Sequence, residues 1–526
     1  MDEEYAMDDS NQLLESASDF AYQPGVQNEA SVKEFLDRFP LPVLINALQI
    51  NADMPGLESA LVVCLERVFK TKYGASLIPQ YMSFVQVGFD ADSQEIRRLA
   101  CKTVTCLLEN LDDKSVSAAR LIVDYDVYPL LLECLINGDE EVATASMEAI
   151  KELARSPSGI DLVFPANKDV PAHLGNLAAR SSSLGRVRVL ALIVKLFAVS
   201  FSVASAIYNS NLLSLLEAEV SNTNDTLVTL SVLELLYELA EVQHGTEFLS
   251  RTSFIQLLSS IISNASIESV LRSRAMTIGG RLLSKENVYM FIDQSSAKII
   301  ISAIDHRLEL RESLDPDECE TALEALGQIG SSIQGAALLL TSSPPAARHV
   351  VDVAFDRRGS GKQLAALHAL GNISGETRPT NIRVLNGDAE ECLRLLIYET
   401  ASKSSKLTPS GLFLSVLQQA SEFRLACYRI ITGLVARPWC LMEICSKQEI
   451  INIVTDATTE STKIGMEARH NCCKAIHKAF MSSSKLISNP ALTGIASELQ
   501  EAVNRGPYAG RRHMEAQPVV MTAERF

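Results

Sequence analysis

A helical phrase ending in a bulky apolar residue recurs along this chain, at Leu107, Leu153, Leu196, Leu239, Leu282, Ile329 and Ile373. The intervals are 46, 43, 43, 43, 47 and 44 residues. The phrase returns at Leu434, 61 residues on, and at Phe480 after another 46. An interval near 45 holds two or three helices, and one such unit cannot bury its apolar face alone. Neighbouring units must stack, which predicts an all-α, armadillo/HEAT-like helical-repeat solenoid (an α-α superhelix). No run alternates at period two for long enough to build a sheet. The stack is expected over residues 29–504, between a flexible acidic N-terminal arm at 1–28 and a flexible C-terminal tail at 505–526.

The stretch Leu227–Ala240 shows the logic of one repeat. It is apolar over most of a helical circumference, so it must be covered on several sides. Glu241-Val242-Gln243-His244-Gly245 follows, and Gly245 is expected to end the helix with a positive φ. Gly159 and Gly335 stand at the same place, six residues after Leu153 and Ile329. The 61-residue interval is about 15 too long for one repeat. Its excess is expected in Thr400–Gly411, a loop by composition.

Charge and cysteine usage narrow the partners. A net charge of -17 disfavours nucleic acid and anionic membranes, and favours a basic protein surface. No stretch approaches the roughly 18 uninterrupted apolar residues of a membrane span. The start, Met1-Asp2-Glu3-Glu4-Tyr5, is acidic where a secretory signal needs positive charge. Eleven scattered cysteines, among them Cys64, Cys101, Cys106, Cys134 and Cys427, lack a disulfide spacing and are expected as free, buried thiols. A cytoplasmic and also nuclear protein follows as the expectation, a monomer when free.

Two segments invite a chemical reading and both give way to a plainer one. Val350–Phe355 followed by Arg357-Arg358-Gly359-Ser360-Gly361-Lys362 looks like a strand entering a phosphate loop. Asp356 stands where that loop needs its first glycine, and Gln363 where it needs Ser or Thr, so an inter-repeat turn is expected. His470, Cys473 and His477 share one helical face and could reach a zinc ion. Without a second ligand pair, surface histidines and packed cysteines are expected instead. No catalytic fingerprint is present, so the expectation is a protein that is not an enzyme and carries no cofactor or metal.

His368-Ala369-Leu370-Gly371-Asn372-Ile373-Ser374-Gly375 resembles the third helix of an armadillo repeat, the helix that lines the groove in that family. Importin-type members place Trp and Asn there, four residues apart, to grip basic peptides. Here the Asn place holds Cys106, Glu152, Lys195, Glu238, Arg281, Gln328, Asn372, Gly433 and Ala479. The Trp place holds Lys102, Glu148, Ala191, Glu234, Thr277, Glu324, His368, Arg429 and Ala475, so an import receptor is disfavoured. Glu148 with Glu152, and Glu234 with Glu238, project from one face as i, i+4 pairs, and Glu324 continues the line. If that face turns inward, the middle of the groove is acidic and suits Lys or Arg on a partner. A solvated acidic face is the plainer alternative. The candidate partner-binding residues are therefore Glu148, Glu152, Glu234, Glu238, Glu324, Gln328, His368 and Asn372.

Four stretches in order decide between possible clients: Tyr237–Gly245, Ala325–Gly335, Ala436-Arg437-Pro438-Trp439 and Gly506-Pro507-Tyr508. Together they resemble the 26S proteasome non-ATPase regulatory subunit 5 family, from about residue 30 to 510. The resemblance implies an all-helical assembly chaperone for the base of the proteasome regulatory particle. Such a protein binds the C-terminal domain of an AAA ATPase ring subunit, hinders premature docking onto the proteolytic core, and leaves before the mature particle forms. The partners implied are thus proteasomal AAA ATPase subunits of that base. A generic armadillo scaffold for a client in signalling or transport stands as the alternative, followed by an enzyme whose site is assembled across repeats.

Overall fold

The computed structural model describes residues 2–25, 28–50, 54–110, 115–167, 173–221, 225–310, 314–488 and 492–508. These residues are helices and connections, with no strand among them. No helix among them is long and apolar enough to cross a membrane. Contacts divide the chain into two units, residues 1–254 and 255–526.

Each unit is a ladder of long helices in which one packs along the next, which makes the protein a helical-repeat solenoid of all-α class. In the first unit the ladder runs α1 (Asp2–Tyr22), α2 (Leu57–Phe69), α3 (Gln94–Asn110), α4 (Glu140–Leu153), α5 (Ser183–Phe197) and α6 (Thr226–Glu241). In the second it runs α7 (Ser269–Leu283), α8 (Pro316–Ile329), α9 (Ser360–Ile373), α10 (Ser421–Leu434), α11 (Lys463–Met481) and α12 (Thr493–Arg505). Shorter helices back the ladder, as Val127–Asn137 backs α4 and Ala347–Ala354 backs α9. The recurring phrase is the end of a ladder helix: Leu107, Leu153, Leu196, Leu239, Ile329, Ile373 and Leu434 are all buried. Each such side chain is worth about 1.5–3 kcal/mol of apolar burial.

Local chemistry sets the helix ends. Asp139 accepts from Val142 N at 2.8 Å to start α4, and Asp225 accepts from Leu227 N and Val228 N to start α6. A three-residue clip ends the ladder helix and starts the next one. In α4, Ser156 Oγ donates to Leu153 O at 3.2 Å while accepting from Gly159 N at 3.1 Å. Ser332 does the same between Ile329 O and Gly335 N, and Thr71 between Val68 O and Gly74 N. One hydroxyl thus satisfies an orphan carbonyl and an orphan amide at once. The glycine is needed because a Cβ there would overlap the carbonyl of the residue six positions earlier. Gly335→Ala should therefore cost about 1–3 kcal/mol, as overpacking does, visible in chemical unfolding. An unchanged midpoint would remove the steric reading.

The structure corrects three expectations. Residues 1–28 are not a loose arm up to Tyr22. They carry α1, which buries Leu13, Ala17, Phe20 and Ala21 and packs along α2. Gly245 does not stop α6 with a positive φ, since its φ is -80°. It is required because a Cβ would collide with the Phe197 ring. Thr400–Gly411 is mostly helix, split between Gly387–Lys403 and Pro409–Leu417, with Ala401 buried. The excess length lies in that long helix and in the connection 374–386 before it. Val350–Ala354 is helical, so no strand precedes the glycine-containing turn at 356–359. Of the tail, residues 509–526 lie outside the described residues.

Candidate functional site

Three ladder positions of the first unit, Lys102, Cys106 and Glu148, line a cleft over α3 and α4. It encloses about 680 Å³ and is lined by Lys70, Arg98 and Lys102 against Glu109, Glu140, Glu141 and Glu148. Thr105, Cys106, Thr144 and Ala145 supply its uncharged lining. Two of these cations are held by carboxylates of neighbouring helices. Lys102 reaches Glu66 on α2 at 2.8 Å, and Arg98 pairs with Glu66 at 3.4 Å and with Glu141 on α4. Glu109 and Glu140 form no salt bridge among the described residues. Burial, followed by the charges of Glu109 and Glu66, pushes the Cys106 thiol up to about 11, although Lys70 and Lys102 oppose this. The Glu152 carboxyl is likewise raised by burial, opposed by Arg155, with Glu109 and Glu148 adding like charge. With four carboxylates and three cations in its lining, the cleft carries a small excess of negative charge.

The other expected site residues fall into separate settings. Glu148 pairs with Lys151 at 2.5 Å and Glu152 with Arg155 at 3.1 Å. Glu234 and Glu238 are exposed on α6, and Glu238 meets Lys195 of α5 at 2.8 Å. The acidic line is thus interrupted by Lys102 and Lys195, and its exposed pairs are each worth about 1 kcal/mol or less. In the second unit Glu324 is exposed, yet partial desolvation of its carboxyl, with Glu320 beside it, raises its proton affinity. Gln328 is half-buried, and its Oε1 finds no donor among the described residues.

His368 and Asn372 stand together on α9, but their surface is taken by Arg429 of α10. Its guanidinium donates to His368 Nδ1 at 2.9 Å and to Asn372 Oδ1 at 3.0 Å, and bridges Glu376 at 3.0 Å. Burial and Arg429 push the His368 pKa down, so this imidazole is held neutral. His368 and Asn372 are accordingly structural acceptors. The zinc arrangement also fails. Cys472 and Cys473 are buried, the Cys473 thiol faces Leu499 O at 3.8 Å, and no three metal-ligating groups cluster among the described residues. All eleven cysteines are free, and ten are buried.

Arg98, Glu109 and Glu140 escaped the sequence reading. A signal for part of this was available, since Arg98–Glu141 and Lys195–Glu238 are both opposite charges 43 residues apart, one repeat length.

Comparison with known proteins adds the following. Residues 57–525 match the family model described as Proteasome non-ATPase 26S subunit. The 26S proteasome non-ATPase regulatory subunit 5 of Bos taurus is 20% identical over 455 residues, covering 85% of this chain and 84% of that one. The Homo sapiens protein of the same name is 20% identical over 453 residues, with the same coverage. That of Mus musculus is 21% identical over 471 residues, covering 89% and 88%. Among solved structures, a designed armadillo repeat protein in complex with the peptide (KR)4 aligns at a TM-score of 0.37 and 13% identity, over 50% of this chain and 99% of that one.

Proposed function

Because this chain belongs to the proteasome non-ATPase 26S subunit family, we propose that it is a non-catalytic assembly chaperone for the base of the regulatory particle. In this reading it holds the C-terminal domain of an AAA ATPase ring subunit on its ladder face and releases it before the mature particle forms. The relatives' names support a proteasome-related role, and the cleft over α3 and α4 is the observation that carries the mode of binding. Its carboxylates Glu109, Glu140 and Glu148 are presented on a rigid pair of helices and suit Lys or Arg on a folded partner. Half-exposed charge of this kind favours fast encounter and selective docking, which fits a client that must later leave. We place this work in the cytoplasm, with access to the nucleus, and expect a monomer when free.

Pull-down from cell extract, with identification of the bound proteins, tests the role. Proteasomal ATPases without mature 26S particles are expected. Mature particles, or clients unrelated to the proteasome, would argue for a stable subunit or a general scaffold. The double variant E109K/E148K tests the cleft. It should weaken capture of a purified ATPase C-terminal domain at least tenfold at low ionic strength, about 1.4 kcal/mol. Wild-type affinity in this variant, with its fold intact by circular dichroism, would remove the cleft from the mechanism.

A further inference from the structure

The long connection after α9 builds something that the regular repeats lack. Between α8 and the next helix the chain needs only residues 330–332, whereas after α9 it uses 374–386. Thr380 and Arg383 of this insert line a recess of about 350 Å³ in the second unit. Val435, Pro438 and Leu441 line it from the end of α10 and the helix that follows. Ala475 and Ala479 of α11 complete it. Those two alanines occupy the Trp and Asn places of their repeat, so methyl groups leave open the space that large side chains would fill. Two apolar side chains of the insert, Ile382 and Val384, are 38% and 47% exposed beside Arg383.

The charge of the recess is opposite to that of the chain. No carboxylate lines it, although the protein carries a net charge of -17. Arg383 is clamped by backbone: it donates to Gly375 O at 3.0 Å, Thr432 O at 3.1 Å and Glu376 O at 3.4 Å. Glu376, the carboxylate whose charge acts on Arg383, is already engaged by Arg429. Lys478 of α11 is exposed at the same recess and forms no salt bridge among the described residues.

We propose that this recess docks an extended acidic segment of a protein partner, with one leucine-sized side chain inserted between Leu441 and Ala479. The volume is at the small end for ligand pockets, which suits a single apolar anchor rather than a folded surface. Burial of that anchor supplies affinity, while Arg383 and Lys478 select acidic flanks and reject basic ones. This assignment does not depend on the ATPase reading, which rests on the other unit.

Fluorescence anisotropy on the full-length protein tests it, using a short fluorescein-labelled peptide with one leucine flanked by aspartates. Replacing the leucine by alanine, or the aspartates by lysines, should each weaken binding at least tenfold. Ala479→Trp, which fills the recess, should abolish binding with the melting curve unchanged, and K478E should weaken it several-fold. Equal binding of the lysine peptide, indifference to Ala479→Trp, or no binding by the wild-type chain would overturn the proposal. So would a tenfold gain on deleting residues 509–526, which would give the recess to that segment. Self-association lost in Ala479→Trp would give it to a second copy and overturn the proposal equally.

Discussion

Replacing Glu318 by Gln should strip about 3–5 kcal/mol from the 255–526 unit, the cost of breaking a buried ion network on one side. Glu318 is 1% exposed on α8. Its carboxylate accepts from Arg272 of α7 at 2.9 and 2.7 Å, and from Arg307, on the helix between α7 and α8, at 3.1 and 2.9 Å. Both guanidiniums are themselves buried. The amide would leave two desolvated cations facing each other without a counter-charge. Amide exchange read by mass spectrometry should show α7 and α8 opening first, and a loss below 1 kcal/mol would contradict this account. Acidification should act through the same group. Burial alone would raise the Glu318 carboxyl, but hydrogen bonds from Arg272 and the charges of Arg307 and Arg272 outweigh it and hold the group below its ordinary range. Its contribution is therefore complete above the ordinary Glu value of about 4.3 and is lost as pH falls through the lowered one. Glu460, held down mainly by Arg424 and Ser421 against its own burial, works in the same direction. E318Q should show a flatter stability profile between about pH 5 and pH 3 than the wild-type protein.

Leu239→Ala is the largest expected effect in the first unit. Leu239 is fully buried at the end of α6, and α6 packs along α5. Truncation to Ala leaves a cavity and should cost about 2–5 kcal/mol. Each ladder helix is stabilised chiefly by its neighbours, so the loss should extend into α5 rather than stay at the mutated turn. Faster exchange confined to residues 236–242 would show instead that these repeats open independently.

Much of this architecture was legible, and the failures have identifiable causes. The apolar phrase marked the ladder helices because burial at one end of a helix imposes a fixed residue spacing. Helix α1 was hidden by its acidic opening, although Leu13, Ala17, Phe20 and Ala21 are spaced for one buried helical face. Gly245 was located correctly and explained wrongly, since composition cannot distinguish a turn glycine from one pressed against a ring. Thr400–Gly411 resembled a loop, yet only residues 404–408 leave helix, and Thr408 caps the next helix through Gly411 N. At the candidate site, periodicity placed Glu148 and Glu238 on the surface but could not name their partners. Those depend on which helix stacks alongside. His368 and Asn372 were misjudged for that reason, because Arg429 lies 61 and 57 residues away, beyond an insert that breaks the period.

The hydroxyl-and-glycine clip has an evolutionary corollary. It fixes where one rung stops and the following one starts using backbone atoms, one small side chain and no exposed group. Most outward positions are then free to vary without moving the helix ends. Relatives that keep only about a fifth of the residues can retain one scaffold on those terms. A designer could aim the α3–α4 cleft at a chosen protein by exchanging its charged side chains and leaving every clip intact.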